Sequence, residues 1–133
     1  MSRQFEVELS FSVGTYDIDF AGIVSNIVYL RWLEDLRLAM LEAHLPLEDL
    51  LASGTTPVLL STQIDYLRAI RLFERPRGRI WVADVGRARW TLEAEITLEG
   101  RAAARAQQVL ALIRLADFRP LPAPALLRDA FRP

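Results

Sequence analysis

From Asn26 to about Ala43 the chain places apolar residues at helical spacing on nearly every side: Ile27, Tyr29, Leu30, Trp32, Leu33, Leu36, Leu38, Met40 and Leu41. Charge is confined to Arg31, Glu34, Asp35, Arg37 and Glu42. A helix of this length runs roughly 27 Å at 1.5 Å per residue. One that is apolar around most of its circumference must be enclosed, because resting it on a surface would leave too much of it wet. Ser25 or Asn26 supplies the N-cap, where a side-chain oxygen accepts from the free amides of the first turn. Pro46 ends the run, and a short helical turn is expected over Leu47 to Ala52.

The rest of the chain supplies the enclosure. Phe5, Val7, Leu9 and Phe11 alternate with Glu6, Glu8, Ser10 and Ser12, a period of two that marks a strand with one wet face. After the helix, strands are expected over Pro57 to about Arg71, Arg79 to Val85, Trp90 to Leu98 and Ala102 to Leu115, with Gly78, Gly86 and Gly100 between or beside them. Strand, long helix, then four strands describes an antiparallel α+β domain: a curved five-stranded sheet wrapped around one central helix. The 133 residues fit one domain over 1–133, with a Pro-rich tail from 119 to 133 that ends in a short helix near Ala125 to Phe131.

Composition removes several chemistries. There is no Cys, so neither disulfides nor a thiol nucleophile nor Cys-ligated metal is possible, and a single His, His44, argues against His-based triads and metal sites. All sixteen basic residues are Arg, which excludes Schiff-base and Walker-type lysine chemistry. The net charge of -1 offers no field for nucleic acid or an anionic membrane. No leader-like N-terminus and no charge-free apolar run of spanning length is present, so the expected location is the cytoplasm, with no membrane and no nucleic-acid partner. A chain that is 52% hydrophobic has more apolar side chains than one core needs, which points to an acyl pocket or a subunit interface.

Residues 16–37 then concentrate the chemistry. Asp19 stands in a short loop, Gly22 follows in a turn, and the apolar helix begins at Asn26. A carboxylate beside a helix N-terminus is a small reaction site: the amides polarise a carbonyl, and the carboxylate attacks it or activates water. Asp19 also fits a plain turn or N-capping residue, Asp17 fits a turn residue, and Glu34 and Arg37, three apart, fit an intrahelical pair.

The run Asp17-Ile18-Asp19-Phe20-Ala21-Gly22-Ile23-Val24, followed by Tyr29, Glu34 and Arg37, resembles the signature of 4-hydroxybenzoyl-CoA thioesterase-like hot-dog proteins. Gln63 to Arg68 resembles that family's second strand and Val85 to Trp90 its later hairpin, so the likeness covers about residues 4 to 129. It implies a hot-dog fold and an acyl-CoA thioesterase that yields a carboxylic acid and coenzyme A. Asp19 would be nucleophile or general base, the Asn26 backbone N–H the oxyanion donor, and Gly22 part of the catalytic loop. No metal or cofactor is implied, coenzyme A being part of the substrate. Two departures stand out. Ile23-Val24-Ser25-Asn26 replaces the His-Val-Asn-Asn of many relatives, and Phe73-Glu74 replaces a usual Gly-Asp before the third strand.

Arginine is unevenly spread. Residues 68–89 hold seven Arg against Glu74 and Asp84, a local charge of +5, whereas residues 1–52 hold three Arg and nine acids. Arg forks suit the phosphates of coenzyme A, and the resemblance points to Arg87 and Arg89, with Arg68 and Tyr29 as further contacts. Tyr29 fits core packing as well, and the arginines also fit solvated hairpin faces or pairing with the acidic half. A five-stranded sheet leaves edges to cover, and the resemblance implies a homodimer or homotetramer with the site between subunits. The competing reading is a hot-dog module without catalysis that binds acyl-CoA or assembles with itself.

Overall fold

A computed structural model describes residues 3–132. Strand β1 (Gln4–Ser10) leads through a 3-10 turn at Thr15–Asp17 into helix α1 (Asn26–His44) and the short α2 (Leu47–Ala52). Strands β2 (Thr55–Tyr66), β3 (Arg77–Val85), β4 (Arg89–Leu98) and β5 (Arg101–Arg114) follow, then the two-residue β6 (Pro120–Leu121) and α3 (Ala125–Ala130). The sheet is antiparallel in the order β1-β3-β4-β5-β2. The expected curved sheet around a central helix is present, with β6 pairing with β5 as a sixth strand. Proline hides that strand in the sequence, since Pro120 has no amide to donate. Leu112 and Ile113 nevertheless pair with it beyond the point where β4 begins.

Strand β2 also ends sooner than its apolar pattern suggests. The amides of Leu67 and Arg68 both donate to the Ala103 carbonyl, which turns the chain off the sheet at Tyr66. The Ile70 carbonyl then accepts from the Val24 amide at 2.8 Å, so this connection is tied to the loop before α1.

The core lies between α1 and the concave face of the sheet. Trp32, Leu33 and Leu36 meet Phe11, Ile80, Leu92 and Ile96, with Phe11 stacked on Trp32 at 5.0 Å. Close approach requires Gly78: a Cβ there would stand 2.6 Å from the Phe11 ring and 2.9 Å from Leu36 Cδ1. The sheet does not close over the whole helix. Ile27 remains 74% exposed, and Leu30 and Leu38 lie beside the charged residues of the same open side. The apolar excess in the sequence is therefore only partly absorbed within one chain.

At the C-terminal end of α1, His44 meets Phe5 edge-on, and Leu127 of α3 is buried in the same region. The Ala123 amide donates to the Arg87 carbonyl, which fixes the tail against the β3–β4 hairpin.

Candidate active site at the start of the central helix

Two turns build the approach to α1. Residues Ile18 and Val24 form a bridge, inside which the Asp19 amide donates to the Ile23 carbonyl and the Gly22 amide to the Asp19 carbonyl. Gly22 sits at φ +79°, a conformation that L side chains rarely adopt, with nothing within 4 Å of a would-be Cβ. Its amide is spent inside the turn, so its contribution is to the shape of the loop.

Ser25 is the N-cap. Its Oγ accepts from the Ile27 amide at 3.4 Å and its carbonyl from the Val28 amide at 3.0 Å. The Asn26 amide, first in the helix, donates to no protein acceptor among the described residues. It is one of the unspent donors that every helix start carries, and it sits at the positive end of the helix dipole.

The two acids of the loop have different fates. Asp17 is 1% exposed. Its carboxylate accepts from the Gly14 amide and from Arg31 Nη2, each at 2.8 Å, and its backbone carbonyl accepts from the Ser25 amide. The same hydrogen bond raises the Arg31 pKa. Asp17 thus binds the loop, the N-cap and the second turn of α1 into one unit, the structural part expected of it. Asp19 is only part-buried, and one carboxylate oxygen accepts from the Ala21 amide at 2.8 Å. Its other oxygen has no protein donor among the described residues.

Tyr29 lies in the core at 3% exposure, ring edge against both Trp32 and Tyr66. Burial, with a smaller contribution from Tyr66, pushes its pKa up to about 12. The residue that meets solvent here is Tyr66, whose hydroxyl lies 3.5 Å from the Asn26 carbonyl. Sequence reading gave Tyr66 no role, because the strand expected to about Arg71 placed it in mid-strand; its aromatic character within the Gln63 to Arg68 segment was the available signal.

The arginines divide. Arg77 and Arg79 both pair with Glu8, at 3.2 and 3.5 Å, so part of the basic segment is neutralised by the acidic half. Arg68, Arg71, Arg87, Arg89 and Arg101 have no carboxylate partner among the described residues. Arg68 and Arg101 share a broad depression of about 670 Å³ with Arg105, at the end of the sheet where α1 begins. Arg87 and Arg89 stand at the other end, beside the tail, so one chain does not bring them to Asp19. Glu34 reaches Arg37 only at 4.0 Å. The nearer partner of Arg37 is Gln108 Oε1 at 2.9 Å, and Gln108 in turn donates to Thr62. Arg37, Leu38, Leu59 and Trp90 line an apolar chamber of about 180 Å³ between α1 and β2.

This fold with this loop defines a class. A profile of the thioesterase-like superfamily matches residues 13–131. The chain belongs to that superfamily, and its class of reaction is thioester hydrolysis. Solved structures share the hot-dog fold. The 1,4-dihydroxy-2-naphthoyl-CoA thioesterase of Synechocystis is 22% identical over 94% of each chain, with a TM-score of 0.82. A probable thioesterase of Escherichia coli is 24% identical over 92% of this chain and 93% of its own, with a TM-score of 0.83. The DHNA-CoA thioesterase of Staphylococcus aureus is 21% identical over 96% and 84%, with a TM-score of 0.82. A comparison with curated protein sequences finds no match.

Proposed function

We propose that this protein hydrolyses acyl-CoA thioesters at the start of α1. The observation that carries the reading is the pairing of an unspent Asn26 amide with a half-free Asp19 carboxylate in one loop. The thioester oxygen accepts from the Asn26 amide, and negative charge that builds there is stabilised by that donor and the helix dipole. A single such donor is worth about 3–4 kcal/mol in acyl-transfer sites. Asp19 then either attacks the carbonyl carbon or takes a proton from water that does so. In the first route the C–S bond breaks to release coenzyme A, and water cleaves the resulting anhydride. In the second, water adds directly and the same C–S bond breaks. Gly22 holds the loop in shape, and Tyr29 backs the Tyr66 wall.

Coenzyme A carries phosphates, and Arg68 with Arg101 offers them unpaired guanidinium groups at the Asp19 end. Arg87 and Arg89 join the site from a second copy. Strand β2 is an edge, and its start aligns through Ala111 with Arg89, while its finish at Tyr66 lies by Asn26. Antiparallel pairing of two β2 edges sets the Arg89 end of one copy against the Asp19 end of the other. That dimer also covers exposed Leu59 and Leu60.

The test is hydrolysis of an aliphatic and aromatic acyl-CoA panel, with light scattering on the same sample. Turnover of at least one acyl-CoA by a dimer or tetramer is expected. Binding of acyl-CoA without release of free thiol would establish the non-catalytic module instead.

A further inference from the structure

Between β2 and β3 the chain leaves the core at Ile70 and returns at Pro76, both fully buried. Each end is fixed: the Ile70 carbonyl accepts from Val24, and the Pro76 carbonyl from the Phe11 amide at 2.9 Å. The intervening Arg71-Leu72-Phe73-Glu74-Arg75 forms a tight turn, closed by the Glu74 amide on the Arg71 carbonyl and by the Arg71 amide on Glu74 Oε1 at 2.7 Å. Leu72 packs inward. Phe73 is 85% exposed and takes φ +73°, the left-handed region that favours glycine. The turn therefore holds a large aromatic ring in solvent, on a backbone that resists any side chain. Phe118 shows the same combination, 70% exposed at φ +57°, so the conformation alone does not mark a site. What sets Phe73 apart is its turn, which is tied through Ile70 to the loop before α1.

We infer that Phe73 is a stacking platform for the adenine ring of the substrate's coenzyme A, with Arg71 beside it for the phosphates. The inference rests on the thioesterase reading above. Three features support a purine nucleotide as the occupant. The ring presents a π-face, which any base accepts. Arg71 and Arg75, two positions to either side of Phe73 in the chain, have no carboxylate partner among the described residues; Arg75 bonds the Ser12 hydroxyl at 3.1 Å. The turn is tied through Ile70 and Val24 to the Asp19 loop, which places the nucleotide end and the thioester end of one extended molecule on the same side of the domain.

Phe73→Gly separates this role from a structural one, because it relieves the backbone while deleting the ring. The KM advantage of an acyl-CoA over the matching N-acetylcysteamine thioester, which lacks the nucleotide, should fall about tenfold in the variant. Its melting temperature should be no lower than wild type. In calorimetry, wild type should bind the free adenosine bisphosphate that ends coenzyme A, and Phe73→Gly and Arg71→Ala should bind it weakly. An unchanged KM advantage, or equal bisphosphate binding by wild type and Phe73→Gly, overturns the inference. So does a Phe73→Gly variant that changes only its oligomeric state. If wild type hydrolyses neither thioester, the thioesterase reading fails, and the bisphosphate titration still decides the platform: no binding to wild type refutes it.

Discussion

Asp17 and Asp19 are two residues apart and chemically identical, yet the structure buries one between two hydrogen-bond donors and leaves the other half-free, the division that the proposed mechanism uses. Asp17→Asn tests that division. The substitution keeps the shape and removes the charge. Asp17 now accepts two hydrogen bonds, from the Gly14 amide and from Arg31. Asparagine has one acceptor oxygen, so its NH₂ must face one of those donors. Hydrogen bonds to a charged group contribute about 1.5–3 kcal/mol each, and breaking a fully buried ion pair costs about 3–5 kcal/mol. Arg31 is 49% exposed, so water replaces part of its loss. The expected cost is therefore about 2–4 kcal/mol, a large share of the 5–15 kcal/mol typical of a domain. Urea unfolding followed by tryptophan fluorescence should show a lower midpoint with unchanged slope. Asp19→Asn, which loses charge at one exposed turn bond, should stay within about 1 kcal/mol of wild type. A cost below about 1 kcal/mol for Asp17→Asn would refute the view that this carboxylate organises the loop.

Tyr29 sets an alkaline limit. Its folded pKa lies above the ordinary value, so its contribution is complete below about pH 10 and lost as pH rises toward 12. The loss reaches about 2–3 kcal/mol, and Tyr29→Phe should flatten urea midpoints measured across that range; equal steepness would contradict it. Gly78→Ala drives a methyl into Phe11 and Leu36 and should cost about 1–3 kcal/mol in chemical denaturation; a neutral result would mean that β3 can move away from the helix. Gly22→Ala meets no atom but strains the backbone, so a loss of about 1–2 kcal/mol is expected, with turnover falling further than stability explains. Unchanged turnover would remove the loop's shape from the mechanism.

Local pattern carried most of the architecture. The span of α1 was legible from its apolar spacing, and β1, β3 and β4 were legible because each alternates between the helix and a wetter face; the apolar excess is visible as the half-open side of α1. Strand β6 was not legible, since a proline pair reads as loop. The early end of β2 was not either, since the cause is a carbonyl of Ala103 far along the chain. In the site, the Asp19 loop and the helix start follow from sequence order alone. The Asp17–Arg31 bond does not, because its partners are separated by fourteen positions and either could have faced water. Arg37 shows the same limit: its local partner Glu34 is visible at spacing three, whereas its closer partner Gln108 is set by how β5 crosses the helix. The distance of Arg87 and Arg89 from Asp19 likewise depends on which end of the sheet the β3–β4 hairpin occupies.

The role of Asp19 is tested most directly by kcat/KM of Asp19→Asn beside wild type, on the best substrate of an acyl-CoA panel. General acid–base or nucleophilic roles contribute about 10²–10⁴-fold. A fall of at least about a hundredfold, with an unfolding midpoint like that of wild type, is predicted. Equal turnover by the two proteins would contradict the account.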